Sequence, residues 1–260
     1  GTTSGVGLIT KSNFQHDYNW GQGTQTGNAV VEIMGDIAYI GTDGLGVLRY
    51  NITANEWLVP FTEANGVLDG GNDDVTGLVA DIRQDMIWVG GSDGFQLINI
   101  TNGAEEYDIE RTSNQYTADG SPYDMMIHNN IMYYHSGEDS DEVSRLNVSN
   151  GATLSNLDVG AEVGENGGDI VGMELSGDTL MVSVVSGQWW NRDGSGGIAR
   201  WNTTTSAYET NVLPTGSIDR VTSYRSSNGN TWVAWGELKL DLYDSSQTLV
   251  NSWDDVEFPI

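Results

Sequence analysis

Four Asn residues of this 260-residue chain carry the spacing of an N-linked sugar acceptor, Asn-x-Ser/Thr: Asn51-Ile52-Thr53, Asn99-Ile100-Thr101, Asn147-Val148-Ser149 and Asn202-Thr203-Thr204. The motif supplies an amide nitrogen and a hydroxyl two residues on, which is what glycosyl transfer to Asn requires. The competing reading is turn chemistry, since Asn readily opens a turn and Ser or Thr follows it well. A fifth, related position reads Asp244-Ser245-Ser246, which fits the turn reading.

A second recurring group is Asp74, Asp124, Asp169 and Asp219, each at the expected start of a strand. Brought together, such carboxylates would favour a hard cation such as Ca²⁺. Taken singly, each would cap a turn by accepting from backbone N–H groups. Acidic, Gly-rich stretches at Asp69–Asp74, Glu138–Glu142 and Glu165–Asp169 also offer oxygen ligands on pliant backbone, without the spacing of a helix–loop–helix Ca²⁺ loop. A third candidate is the insertion SGQWWNRDGSGG at 186–197, where Trp189, Trp190, Arg192 and Asp193 could meet a sugar ring or a protein partner. Its plainer reading packs one Trp under the loop and the other on the rim.

The three His residues, His16, His128 and His135, share no metal-ligand spacing, and no nucleophile motif stands near them. Without Cys there is neither a disulfide nor a thiolate site. Ten Lys+Arg against 37 Asp+Glu give a net charge of −27, a surface that repels nucleic acid and anionic membranes. A salty medium, divalent cation binding or plain solubility would each explain this acidic surface; salt adaptation, in a marine or archaeal setting, is the expected cause. No stretch reaches the ~18 apolar residues of a membrane span.

The elements that must position these residues come from an internal repeat. The stretch Gly35–Trp57, GDIAYIGTDGLGVLRYNITANEW, returns at Asp85–Tyr107, at Asn130–Asn150, at Gly177–Tyr208 with the insertion, and at Asn230–Trp253. A period of about 40–55 residues signals a repeat architecture. Aligned on its turns, each unit has four strands. The first follows Asn28, Asp74, Asp124, Asp169 or Asp219. The second is IAYIG, MIWVG, IMYYH, LMVSV or TWVAWG. The third ends in RYN, LIN, RLN, RWN or LYD. The fourth opens near Trp57, Tyr107, Tyr208 or Trp253. One such sheet cannot bury both faces alone, whereas several around an axis can. The expected fold is therefore all-β, a β-propeller of four-stranded blades, with an open β-solenoid as the rival. Blades are expected at 28–61, 74–110, 123–160, 169–213 and 218–256, and half a blade at 1–20. Two explanations of the half blade stay open. The chain is part of a larger propeller, or the half blade closes the ring unusually or borrows strands from a neighbouring copy.

Asp74-Val75-Thr76-Gly77-Leu78, Asp85-Met86-Ile87-Trp88-Val89-Gly90-Gly91-Ser92-Asp93-Gly94-Phe95 and Leu97-Ile98-Asn99, with the cleaner copy Ile40–Leu45 and Leu48–Asn51, resemble the two-component-regulator propeller repeat, YWTD- or kelch-like in general form. The resemblance implies an extracytoplasmic propeller, in that family often the ligand-sensing part of a larger protein. It carries a blade signature and no catalytic residue. The expected function is a non-catalytic extracellular binding or structural module of a cell-surface protein or assembly, glycosylated at Asn51, Asn99, Asn147 and Asn202. Its partners would be proteins or carbohydrate at a surface, or further copies of itself. The alternatives are a polysaccharide-acting propeller enzyme and a ligand-sensing receptor domain.

Overall fold

The computed structural model describes residues 7–10, 15–19, 30–68, 73–81, 83, 85–91, 94–110, 123–136, 140–164, 168–185, 196–211, 221–225, 229–235 and 239–253. Its backbone divides into two compact units, Gly1–Ile127 and His128–Ile260. The first unit holds an antiparallel pair, β1 (Gly7–Thr10) and β2 (Gln15–Asn19), and two four-stranded sheets. One sheet runs β3 (Val30–Met34), β4 (Ile37–Gly41), β5 (Val47–Asn51), β6 (Glu56–Phe61). The next runs β7 (Gly77–Ala80), β8 (Met86–Gly91), β9 (Gly94–Asn99), β10 (Glu105–Glu110).

The unit boundary falls inside β11 (Tyr123–His128), which heads a sheet with β12 (Ile131–His135), β13 (Glu142–Asn147) and β14 (Ala152–Asp158). The second unit continues with β15 (Asp169–Ser176), β16 (Thr179–Val185), β17 (Gly196–Asn202) and β18 (Ala207–Tyr208). It ends with β19 (Val221–Arg225), β20 (Thr231–Trp235), β21 (Lys239–Tyr243) and β22 (Leu249–Trp253). Among the described residues there are thus five four-stranded sheets and one two-stranded sheet, each four-stranded one laid down in chain order.

Burial within each sheet follows the sequence pattern. The second strands are continuous apolar runs, and β8 and β16 are buried at every residue, as strands covered on both faces must be. The fourth strands alternate or are mostly exposed, as in β6 and β22. Short turns join them. Asn129 and Asn130, at φ 50° and 63°, close the β11–β12 hairpin with two left-handed residues. Gly46 is required where it stands. Its φ is +67°, and a Cβ there would lie 2.2 Å from the Phe61 carbonyl oxygen.

In the first unit the core lies between the sheets β3–β6 and β7–β10. Tyr39, Val47, Phe61, Leu68, Val75, Leu78, Ile87, Val89 and Ile98 meet there. Burying each aliphatic side chain of that set stabilises the unit by about 1.5–3 kcal/mol. Backbone bonds also join the two sheets, from Val75 N–H to Thr42 O at 2.8 Å and from Gly44 and Gly46 N–H to Asp73 O at 3.0 Å. The second unit repeats the device, with Ile170 N–H donating to Ser140 O at 3.0 Å. Its own core includes Met181, Val185, Ile198, Val233 and Tyr243.

Among the described residues one element has no counterpart in the repeat. A single-turn helix, α1 (Val159–Val163), follows β14. The Asp158 carboxylate caps its start by accepting from Ala161 N–H at 3.0 Å, and Gly164, at φ 84°, ends it. Val159 and Val163 are buried.

Candidate functional site

The four sequon Asn residues share one setting: each is the last residue of the third strand of its sheet, β5, β9, β13 or β17. Each turns its Oδ1 onto the backbone that follows. Asn51 accepts from Ala54 N–H at 2.8 Å, and Asn99 from Thr101 and Asn102 at 2.9 and 3.3 Å. Asn147 accepts from Ser149 at 2.9 Å, and Asn202 from Thr204 and Thr205 at 3.0 and 2.9 Å. Asp244 does the same for Ser246 and Thr248, both at 2.9 Å. These bonds hold the Asp244 carboxyl below the usual carboxylate value, the Ser246 hydroxyl contributing most. The side-chain nitrogens differ. Asn202 Nδ2 donates to Glu209 Oε1 at 3.0 Å. Among the described residues no hydrogen bond engages Nδ2 of Asn51, Asn99 or Asn147.

Two residues before three of these Asn stand Arg49, Arg145 and Arg200. Each guanidinium donates to a carbonyl ten residues on: Arg49 to Val59 O at 3.3 Å, Arg145 to Ser155 O at 2.7 and 2.5 Å, and Arg200 to Thr210 O at 3.2 Å. In the sheets of Arg49 and Arg145 the pairing of third and fourth strands slips at this point, between Val47 and Arg49 and between Val143 and Arg145. A bulge leaves a carbonyl without its ladder partner, and the guanidinium supplies one. Arg49 also reaches Ile100 O in the turn after β9 at 3.2 Å and lies over the Phe61 ring at 4.4 Å. Arg145 lies over Trp201 at 5.5 Å. The R-x-N spacing was visible in the chain, but the cross-strand bond depends on the slipped register.

A groove of about 540 Å³ opens on the first four-stranded sheet of the first unit. That size is usual for a ligand or side-chain pocket. Gly44 and Leu45 come from the β4–β5 turn, Leu48 from β5, and Trp57, Leu58 and Pro60 from β6. Thr62, Ala64 and Asp73 complete it. Leu45 is 41% exposed and Trp57 37%. The Trp57 ring is steadied edge-on by Tyr50, 5.0 Å away, whose hydroxyl bonds Asn55. The positions equivalent to Leu48 in later sheets, Gln96 and Ala199, are buried, so an apolar floor is left open at this sheet in particular.

One carboxylate, Asp73, lines the groove, and Asp43 and Asp74 lie beside its Gly44 wall. Asp73 Oδ1 accepts from Glu63 N–H at 2.8 Å. Asp43 and Asp74 stand side by side; the interaction with Asp74 first, then desolvation and mutual repulsion, pushes the Asp43 carboxyl above its usual value. The aligned aspartates therefore stand in different surroundings. Asp74 is exposed and paired with Asp43, and Asp124 is exposed at φ 48° within β11. Asp169 is buried at the head of β15. Among the described residues no three His, Asp or Glu side chains are grouped so as to hold a metal ion. His128 meets Asp178 at 3.1 Å and His135 is buried. Asp219, Trp189, Trp190, Arg192 and Asp193 lie outside the described residues. Among the described residues no helix is long and apolar enough to cross a membrane.

No protein-family model matches the sequence, and neither does any curated protein sequence. Solved structures do resemble the chain. The RRP9 WD40 repeats superpose with a TM-score of 0.60 at 10% identity, over 87% of this chain and 63% of that one. The computationally designed Ika8 protein gives 0.58 at 12% identity, over 97% and 82%. BamB from Moraxella catarrhalis gives 0.54 at 12% identity, over 98% and 72%. The chain thus spans less than two thirds of the RRP9 chain. At such identities the likeness concerns the fold, an all-β repeat fold of the β-propeller type. It does not reach the two-component-regulator type of repeat.

Proposed function

We propose that the chain is a non-catalytic binding module outside the cell, and that its groove at Leu45, Leu48, Trp57 and Pro60 takes a protein segment bearing an apolar side chain flanked by Lys or Arg. The observation that carries this reading is an open apolar floor with Asp73 in its lining and Asp43 and Asp74 beside its Gly44 wall. An exposed Trp in an apolar pocket is the usual anchor of a protein contact. With a net charge of −27, the chain favours a cationic partner and repels a second copy of itself. In this reading the five sheets are blades of one propeller, with residues 1–20 as a half blade. The Ile37–Asn51 pattern keeps the two-component-regulator likeness in view, and the groove would then serve as a sensor's ligand site.

Polysaccharide hydrolysis is the weaker reading. That chemistry needs two carboxyl groups about 5–10 Å apart across the bond to be cut. The Asp43 and Asp74 carboxyls lie against each other rather than across such a gap.

The test is selection of a random peptide library on the intact chain. The reading expects enriched peptides with an aromatic or aliphatic residue beside Lys or Arg. Their binding should weaken about 30-fold in Trp57→Ala, as for an anchor worth about 2 kcal/mol. Leu45→Asp, on an exposed turn, should lose it without touching the core. Peptides that bind both variants as well as the parent chain would refute the assignment.

A further inference from the structure

The hydroxyls of the sequons have no structural task. Thr53, Thr101, Ser149 and Thr204 are exposed, and among the described residues none of their hydroxyls makes a hydrogen bond. The turn after the third strand is built by the Asn Oδ1, by backbone bonds and by other side chains such as Asn102 and Asn150, without these hydroxyls. Turn chemistry therefore accounts for the Asn but not for a hydroxyl two residues later in all four repeats. The fifth repeat is the informative contrast. There the Ser246 hydroxyl does work in the turn, donating to Asp244 Oδ1 at 2.7 Å, and the residue that opens the turn is Asp, which cannot accept a sugar. Every Asn at this position has an idle hydroxyl at the acceptor spacing, and the repeat that has lost the Asn has put its hydroxyl to use.

From this we infer that Asn51, Asn99 and Asn147 carry N-linked glycans and that Asn202 does not. The inference rests on the extracellular placement proposed above. In the first three turns Oδ1 is fixed by the backbone, which leaves Nδ2 directed away from its bonded side and unengaged. At the fourth, Nδ2 is bonded to the Glu209 carboxylate, which Arg200 holds in turn at 2.9 Å. The reaction needs a glycosyl diphosphate donor and a transferase with a carboxylate base. Nδ2 attacks the anomeric carbon of the donor. The Nδ2–C1 bond forms as the C1–O bond breaks, and that electron pair leaves on the diphosphate. The amide proton passes to the base, and no atom changes oxidation state overall. A carboxylate already clamped to Nδ2 competes with this at Asn202.

The experiment is peptide mapping by mass of the chain purified from the cells that encode it, before and after an amidase that removes N-glycans and leaves Asp. The inference expects glycan mass on the Asn51, Asn99 and Asn147 peptides and none on the Asn202 peptide. The same chain secreted from an N-glycosylating host should lose each glycan completely in Thr53→Ala, Thr101→Ala and Ser149→Ala, while circular dichroism stays that of the parent. Glu209→Ala should gain a glycan at Asn202. Bare peptides at all four sites on chain recovered outside the cell, or equal occupancy at Asn202 and the other three, would overturn it. Chain recovered only inside the cell would instead overturn the placement on which it rests.

Discussion

Asp81 offers the sharpest test of the physical reasoning in the first unit. The residue is 2% exposed. One oxygen accepts from the Trp88 indole N–H at 2.7 Å, and the other from the Arg83 Nε–H at 2.5 Å and backbone N–H at 3.1 Å. Burial by itself would raise the carboxyl. The bonds from Arg83 and Trp88, with the Arg83 charge, outweigh burial and hold it below its ordinary value. Asp81→Asn preserves the shape but turns charge-assisted bonds into neutral ones and aims an NH₂ at a donor. At roughly 1 kcal/mol for each charged bond weakened, the loss at pH 7 is about 2–3 kcal/mol. The melting temperature should fall by about 4–12 °C. The sign with pH follows from linkage. A depressed folded-state value means that the contribution is complete above the unfolded value of about 3.9, and disappears as pH falls through the lower folded value. The stability gap between parent and variant should therefore close in acid. Urea unfolding at pH 7 and about pH 3 measures it, with the Trp88 indole N–H resonance reporting the site directly. A gap that is equal at the two pH values, or absent at pH 7, would refute the account.

Other substitutions test other parts of the fold. Gly46→Ala should cost more than about 2 kcal/mol, because a positive φ and a 2.2 Å approach to Phe61 O act together. Gly35→Ala, at φ +60° with open space around it, should cost only the backbone term of about 1–2 kcal/mol; thermal melts rank the pair. Arg145→Lys should lose about 1–2 kcal/mol in urea, since an ammonium cannot bridge the Ser155 carbonyl and lie flat over Trp201 as the guanidinium does.

The parts of this fold legible in the chain were those set by local chemistry. Asn and Asp at the third-strand ends foretold turns, and apolar runs such as MIWVG and LMVSV foretold the buried second strands. Aromatics aligned at the fourth strands found partners in the third or second: Trp57 with Tyr50, Tyr208 with Trp201, Trp253 with Trp232. What depended on distance through space was not legible. The Asp43–Asp74 contact joins residues brought together only when two sheets dock. Asp74 and Asp169 align in the repeat, yet one is exposed and one buried, because alignment does not specify what covers a residue. The α1 turn is too short for a helical period to show. The groove needed the comparison of Leu48 with its covered equivalents.

The slipped pairing at β5–β6 and β13–β14 has a consequence for behaviour in concentrated solution. Both β6 and β14 are outermost in their sheets, where a straight strand would show evenly spaced donors and acceptors to any passing chain. The slip distorts that row, and Pro60 removes one donor from β6 altogether. Fibril growth by strand addition is thereby hindered at both edges, and Arg49 and Arg145 maintain the distortion from within.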